Sequence, residues 1–380
     1  VTTSRTRPTP VADPALVARL RADLAGCSAQ ALSELLGPEA ERALAREQRV
    51  PALRALGRRV EPLAALLSAF VLGGSVRRRM LAPALPRTTV DGLVALGLAE
   101  CAGSGPDDEV RALVELRPHA PEDGSPGTWW VAADLREVAT GRALRPDHVL
   151  GVSPASRTLA RCTVRAEVDR TLDLGTGCGI QALHALRHSR SVYATDVAER
   201  ALAFARFTLA LNGVDPGAPE APGTHPVPDT PRAHRAAPGA SRTAGGGGGT
   251  SARAELRRGS LLDPVRGEDF DLVVSNPPFV ITPRDADLPR YVYRDGGRAG
   301  DALVEDLVAG LRDVIRPGGV AQVLANWEHH RGQDWRERVG AWVTGSGLDV
   351  WVVQRELLDV AEYAELWIRD SGTTGGRDRA

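Results

Sequence analysis

Not one of the 47 basic residues in this chain is a lysine; all are arginines. Schiff-base catalysis, pyridoxal phosphate anchoring and Walker-type phosphate loops each need a lysine amine, so those classes are excluded. The bias is that of a GC-rich genome rather than of arginine chemistry. Also missing is any run of 18 apolar residues, so no transmembrane helix is expected. Val1 to Pro10 is polar and basic without an apolar stretch, which argues against a secretory signal and for a cytoplasmic location. Cysteine is scarce: Cys27, Cys101, Cys162 and Cys178 lie far apart with no Cys-x-x-Cys pair, the usage of reduced thiols rather than of a zinc cluster. The histidines form no His-Glu-x-x-His arrangement, and the adjacent His329 and His330 would diverge on a helix, so no metal site is expected. What remains is a nearly neutral chain of 380 residues with ample apolar content, long enough for two domains.

The first hundred residues are helical in pattern. Ala, Leu, Arg and Glu recur at helical spacing over Pro14–Leu24, Ala29–Leu36, Glu39–Glu47 and Pro51–Leu56, then over Pro62–Leu72, Ser75–Leu85 and Thr88–Leu98. Two strand-like runs follow, Val110–Arg117 and Thr128–Leu135, separated by the turn-rich Pro121–Gly127. Three helices and then a β-hairpin is the order of a winged helix, so residues 1–147 are expected to form a helical, winged-helix-like recognition domain. Ten arginines against two acids, Glu47 and Glu61, fall between residues 42 and 87, a patch suited to phosphates of RNA or DNA. Yet the presumed recognition helix, Thr88–Leu98, carries no arginine, which leaves base reading poorly supported and protein contact open.

From residue 148 strands alternate with helices. Strands are expected at 171–174, 191–195, 255–258, 270–275, 319–324 and 348–354, with a seventh at 363–369, and helices at 180–187, 200–211, 301–315 and 335–344. That alternation predicts an α/β, Rossmann-like, doubly wound sheet of seven strands over 148–380. Residues 215–253 interrupt it with seven prolines, eight glycines and no aliphatic side chain larger than alanine except Val227; a disordered insertion is expected there.

Chemistry is concentrated at two strand ends. The apolar run Phe270–Ser275 is stopped by Asn276-Pro277-Pro278-Phe279, because consecutive prolines cannot continue a strand. Asn276 and the Pro277 carbonyl are then two acceptors fixed at the carboxyl edge of the sheet, where open α/β sheets bind ligands. With the ring of Phe279 beside them, they suit a planar –NH2 group: two hydrogens to accept and one plane to stack on. The second strand end is Thr171-Leu172-Asp173-Leu174-Gly175-Thr176-Gly177-Cys178-Gly179-Ile180, a glycine-rich turn between strand and helix that lets a ligand approach the backbone. Its spacing departs from a dinucleotide fingerprint, and Asp173 would repel a pyrophosphate but could hold an ammonium group. Asp196, at the end of the next strand, is placed to take both hydroxyls of a ribose. An acid for an amino group, glycines for a close-packed chain and an acid for a ribose together describe S-adenosylmethionine.

On these residues the span from about 148 to 370 resembles class I methyltransferases, in particular the small methyltransferase domain group with an Asn-Pro-Pro-Tyr/Phe motif. That group includes the HemK-type enzymes acting on the glutamine amide of release factors, and enzymes acting on exocyclic amines of adenine or guanine in RNA and DNA. The resemblance implies that Asn276 and the Pro277 carbonyl hold the acceptor nitrogen, that Pro278 stiffens the turn, and that Phe279 packs on its plane. It also implies that Ser260 and Leu261, after the third strand, contact the cofactor's adenine, although HemK-type enzymes carry an acid where Ser260 stands. The segment Asp295–Asp301 and Arg316-Pro317-Gly318-Gly319 look HemK-like; Leu150-Gly151-Val152-Ser153 lacks the proline-arginine-proline signature expected of HemK-type enzymes there and looks closer to the guanine-amine ribosomal RNA enzymes. The whole arrangement, including Asn326-Trp327-Glu328, resembles two-domain methyltransferases of actinobacteria.

Three readings follow. The principal one is a nucleobase N-methyltransferase acting on RNA, ribosomal or otherwise, or on DNA, on the strength of the arginine patch and Phe279. The alternative is a protein glutamine-amide methyltransferase of the release-factor type, on the strength of Asp295–Asp301. The third is a non-catalytic, cofactor-sensing winged-helix regulator, against which an intact Asn-Pro-Pro-Phe argues.

Overall fold

The structure, a computed structural model, describes residues 9–57, 59, 61–141, 144–217, 252–281, 292–294, 296 and 298–370, with side chains to Glu365. Most of the Pro/Gly-rich insertion, together with Asp295 and Gly297, lies outside the described residues.

Helices Pro14–Leu24, Ala29–Ala45, Val50–Leu56 and Pro62–Phe70 open the chain. Asp13 and Ser28 start the first two by accepting the Leu16 and Ala31 backbone N–H groups, the preferred chemistry for otherwise orphaned helix donors. Gly37 (φ 74°) and Pro38 kink the second. Strand β1 (Ser75–Arg77), the short helix Arg78–Leu81, helix Thr89–Ala95, β2 (Ala99–Cys101) and β3 (Glu109–Ala112) come next, and the three strands form an antiparallel sheet ordered β1-β3-β2. The strand expected over Val110–Arg117 is therefore two strands. It breaks at Leu113, and β4 (Val114–His119) turns away to pair with β5 (Trp129–Asp134) in a separate hairpin.

That hairpin docks on the second half of the molecule. The β5 backbone at Trp130 exchanges hydrogen bonds with the Asn212 side-chain amide (3.0 and 2.9 Å), and Ala132 N–H donates to Thr208 Oγ1 at 3.2 Å. Helix Glu199–Leu211 thus supplies partners to an edge that would otherwise lack them. One apolar cluster, including Leu20, Phe70, Leu93, Val110, Val131, Ile180, Phe204 and Leu256, runs across the boundary placed at 147/148.

Five strands make the main sheet: β6 (Val168–Leu174), β7 (Ser189–Asp196), β8 (Arg253–Arg258), β9 (Phe270–Ser275) and β10 (Ile315–Val323). All neighbours are parallel, in the order β10-β9-β6-β7-β8. The central strands are apolar on both faces (Leu172, Leu174, Val273 and Val274 are buried) because helices cover the sheet on each side, as parallel sheets require. The chain winds outward from β6 through β7 to β8, then crosses back to β9 and winds the other way. The order therefore reverses between β6 and β9, and the crevice at their carboxyl ends is the place such sheets bind ligands.

Two expected strands are corrected. Residues 348–354 form no strand among the described residues: an apolar run becomes a strand only where a ladder is offered to it, and here it lies open, with Trp351 90% exposed. Residues 363–369 fall inside helix Val360–Asp370. Asp359 starts that helix, accepting the Glu362 N–H through its side chain and the Tyr363 N–H through its carbonyl, both at 2.9 Å, a capping signal that outweighed the aromatic and aliphatic content. Among the described residues the sheet thus has five strands rather than seven.

Candidate active site

Each chemistry-bearing residue picked from the sequence lies at the carboxyl edge of the main sheet. Asp173, Gly175, Thr176, Gly177 and Gly179 follow or end β6, Asp196 ends β7, Ser260 and Leu261 follow β8, and Asn276 to Phe279 follow β9.

At β6 the backbone turns sharply. Gly175 and Thr176 both donate to the Thr195 carbonyl at 2.9 Å, and Gly179 donates back to Thr176 at 2.9 Å. Gly175, Gly177 and Gly179 all have positive φ, 74°, 54° and 84°. They differ in what surrounds them. A Cβ on Gly179 would meet Ala205 Cα at 3.2 Å, so this glycine permits close packing of the following helix on Glu199–Leu211. A Cβ on Gly175 or Gly177 would meet no protein atom within 4 Å, so these two open onto free space at the switch point. Such a cradle fits a ligand lying along the backbone.

Asp173 is buried beneath the turn. Its Oδ2 accepts from Thr176 Oγ1 at 2.6 Å, while Oδ1 is a buried acceptor with no donor among the described residues. Burial, reinforced by Asp196 and opposed by the Thr176 hydrogen bond, pushes the carboxyl up to about 7. Asp196 bridges the turn and its own loop, accepting Gly177 N–H at 3.0 Å and Ala198 N–H at 2.9 Å. Burial raises its carboxyl too, against those backbone hydrogen bonds. A cationic amino group at Asp173 would satisfy the orphaned oxygen and offset the cost of the buried charge, and so the donor set suits the amino-acid end of S-adenosylmethionine.

At β8 the chain turns through Leu261, whose φ of 47° is unusual for a residue with a Cβ. Ser260 is exposed, and its carbonyl accepts from Asp263 N–H at 3.0 Å. A pocket of about 340 Å³ lies beside this turn, bounded by Ser260, Leu262, Arg266, Arg298 and Gly310. It faces helix Ala302–Gly310 and touches neither Asp173, Asp196 nor Asn276.

Asn276 leaves β9 at the switch point. Just before it, Ser275 Oγ donates to the Leu174 carbonyl at 2.9 Å, locking the ends of β9 and β6 together. Ser275 O accepts from Leu324 N–H at 3.1 Å, which holds the end of β10 alongside. Asn276 Oδ1 is buried and has no donor among the described residues. Pro277 is buried, Gly296 sits close enough to Pro278 that a Cβ would come within 3.2 Å of its ring, and Phe279 packs on a cluster of Val304, Val339 and Trp342 shared with Trp327 and Trp335. The loop is pinned beyond Phe279 by Val280 N–H to the Arg294 carbonyl (2.8 Å) and Ile281 N–H to Tyr363 Oη (2.9 Å).

Some residues that shape this edge carried no signal in the sequence. Asp134 and Arg200 pair across it from elements far apart in the chain, as do Asp301 and Arg338. The arginine patch is also altered by folding. Arg77 and Arg79 share Asp107, Arg78 pairs with Asp91, Arg87 with Asp23 and Arg59 with Glu61. Arg58 lies outside the described residues.

Comparison with known proteins adds to this geometry. A family described only as a domain of unknown function (DUF7059) matches residues 24–113. The chain is 28% identical over 273 residues to the release factor glutamine methyltransferase of Moorella thermoacetica, an alignment covering 65% of this chain and 81% of that protein. It is 29% identical over 231 residues to the release factor glutamine methyltransferase of Deinococcus radiodurans, covering 57% of this chain and 66% of the relative. The chain is an S-adenosylmethionine-dependent methyltransferase. Among solved structures it is similar to a 16S rRNA methyltransferase of T. thermophilus in complex with AdoMet and guanosine (14% identity, TM-score 0.32, 74% of this chain and 62% of that one). It is also similar to a ribosomal protein methylase of Lactobacillus delbrueckii subsp. bulgaricus (18% identity, TM-score 0.32, 55% and 75%). Both likenesses are slight, and nothing further rests on them. For this methyltransferase, no helix among the described residues is long and apolar enough to cross a membrane.

Proposed function

We propose that this methyltransferase acts on the side-chain amide nitrogen of a protein glutamine. The observation that carries the reading is Asn276 Oδ1, a buried acceptor without a donor among the described residues, held at the β6/β9 switch point beside the glycine cradle. A buried acceptor left unmatched costs about 1–3 kcal/mol, and an acceptor-substrate N–H would recover it.

When bound, S-adenosylmethionine supplies an electrophilic methyl group on a sulfonium. The chain's part is to hold the cofactor and to present the nitrogen. Asp173 would take the ammonium, Gly175, Thr176, Gly177 and Gly179 the extended chain, Asp196 the ribose, and Ser260 and Leu261 the adenine. Asn276 Oδ1 and the Pro277 carbonyl would each accept one N–H of the amide, with Pro278 fixing the turn and Phe279 along the amide plane. An amide nitrogen is a poor nucleophile because its lone pair is delocalised. Two fixed acceptors hold it in a near-attack position and favour the pyramidal nitrogen of the transition state. The extra proton of the methylated nitrogen leaves to solvent, so no general base is required.

Two things favour glutamine over a nucleobase. Both sequence relatives carry release factor glutamine methyltransferase in their names. And five arginines of the 42–87 patch have carboxylate partners, which leaves less unpaired charge for phosphates. The helix–strand–helix–helix–strand–strand order of residues 62–112 supports the winged-helix reading, and we assign this front domain to holding a protein acceptor.

Tritium transfer from labelled cofactor into fractionated lysate tests the reading, with nuclease and protease controls. Label should be protease-sensitive, nuclease-resistant and recovered as an N-methylated glutamine amide. Nuclease-sensitive label would replace this reading with nucleobase methylation. Asn276→Ala should lower transfer at least 100-fold, on the scale of about 3 kcal/mol of lost positioning, while calorimetry finds S-adenosylhomocysteine affinity unchanged within threefold. A variant that retains turnover would remove Asn276 from the acceptor clamp.

A further inference from the structure

Between helices Trp335–Ala341 and Val360–Asp370 the chain runs through a segment that joins no sheet. Its ends are held. Leu348 packs on the cluster that includes Phe270 and Val273, and Arg355 Nη1 reaches Thr158 Oγ1 of helix Pro154–Cys162 at 3.4 Å. Between those ends, Val350, Trp351, Val352 and Val353 are consecutive β-branched and aromatic residues, the composition of a strand. Yet among the described residues the backbone of 349–355 makes no hydrogen bond to other backbone. The side chains face water instead: Trp351 is 90% exposed, Val353 60% and Val350 50%. A contiguous apolar run left open on a folded surface marks a place where another chain binds. A row of unpaired N–H and C=O groups is, in addition, a template for strand pairing.

The charges that flank the run point to its partner. Set antiparallel to a second copy of itself about a two-fold axis through Val352, the run places Asp349 of each copy opposite Arg355 of the other. Trp351 then falls opposite Val353, an aromatic–β-branched pair of the kind that stabilises adjacent strands. An axis through Trp351 would set Asp349 against Val353 and Arg355 against Gly347; one through Val353 would set Asp349 against Leu357 and Arg355 against Trp351. Of the three registers, the one on Val352 alone meets both charges with opposite charges, and the axis repeats the pair at each end. We propose that residues 349–355 are the interface of a homodimer, formed by antiparallel pairing of this run in two copies about Val352, with Asp349 and Arg355 in reciprocal ion pairs. The bond from Arg355 to Thr158 is long and exposed, and a carboxylate is the better partner for a guanidinium. Seven residues a side is about a third of a standard interface, so the dimer belongs to the weak, reversible class. None of residues 349–355 is assigned above to the cofactor or the acceptor, so association is separable from methyl transfer.

Sedimentation velocity of the full chain over roughly 1–300 µM tests this, and should show monomer–dimer exchange with a Kd on the order of 10–100 µM. Asp349→Arg sets arginine opposite arginine at both ends of the pairing, and Arg355→Asp sets aspartate opposite aspartate. Each variant should weaken association by at least about tenfold. An equimolar mixture of the two should restore it, because every facing pair in the mixed dimer is again opposite in charge. Both positions are exposed, so each variant should keep the thermal unfolding midpoint and the S-adenosylhomocysteine affinity of the unaltered chain. A chain that stays monomeric throughout the range overturns the proposal and leaves the run to a different protein. A dimer indifferent to both substitutions overturns it as well, since another face then forms the contact. Variants that each dissociate but do not associate when mixed remove the pairing of Asp349 with Arg355, and the proposal with it.

Discussion

Asp134, the last residue of the β4–β5 hairpin, and Arg200, in the first turn of the helix after Asp196, form a buried ion pair through two guanidinium nitrogens. Asp134 does more than neutralise Arg200. Its Oδ2 accepts the Val149 N–H at 2.9 Å, and its own N–H donates to the Val149 carbonyl at 3.0 Å. One carboxylate thus ties the front hairpin to the segment leading into helix Pro154–Cys162 and to the helix that follows Asp196.

Removing one partner of such a pair leaves a charge buried without its counter-charge. Asp134→Ala should therefore cost about 3 kcal/mol in urea unfolding. The double variant Asp134→Leu with Arg200→Met should recover only part of the loss, because it leaves no charge behind but still strands the Val149 N–H. A single-variant cost below about 1 kcal/mol would mean that the hairpin is held by its apolar contacts alone.

The glycine turn separates two uses of one residue type. Gly179→Ala forces a Cβ to within 3.2 Å of Ala205 backbone at φ 84°, so folding should suffer by more than the left-handed strain of about 1–2 kcal/mol. Gly175→Ala meets no protein atom within 4 Å, so it should lose only that strain. If the proposed cradle holds the cofactor, that Cβ enters its space, and S-adenosylhomocysteine affinity should fall at least tenfold. Thermal unfolding and calorimetry on the two variants check the contrast; equal losses of stability with equal affinities would contradict it.

Strands β6, β7 and β9 were legible because each ends in a short apolar stretch closed by its own punctuation: glycines after Leu174, Asp196 after Thr195, two prolines after Asn276. What could not be read depends on partners remote in sequence. The apolar run at 348–354 has strand composition but no ladder. Asp134 with Arg200 and Asp301 with Arg338 are matched only by folding. The arginine patch is less charged than residues 42–87 alone imply for the same reason, since its partners Asp23, Asp91 and Asp107 lie outside that stretch. Trp327 follows β10 in the sequence, but that its Nε1–H is buried with no acceptor among the described residues is visible only in three dimensions.

Asp173 gives the site a pH dependence whose sign follows from burial. Its folded carboxyl is pushed up to about 7, above the ordinary aspartate range, so the folded chain holds this proton more tightly than the unfolded chain. The stability it contributes is complete below the unfolded value near 4 and is lost as pH rises toward about 7. Asp173→Asn should then stabilise the ligand-free protein at pH 8, by on the order of 2–4 kcal/mol, and change little at pH 4. Cofactor binding runs the opposite way. An ammonium held at Asp173 needs the carboxylate, so S-adenosylhomocysteine affinity should fall about tenfold per unit as pH drops below 7, and level off above it. In Asp173→Asn the affinity should be lower and flat with pH. Calorimetry from pH 5.5 to 8 on both proteins decides the matter: a wild-type affinity that does not change over that range would place the ammonium away from Asp173.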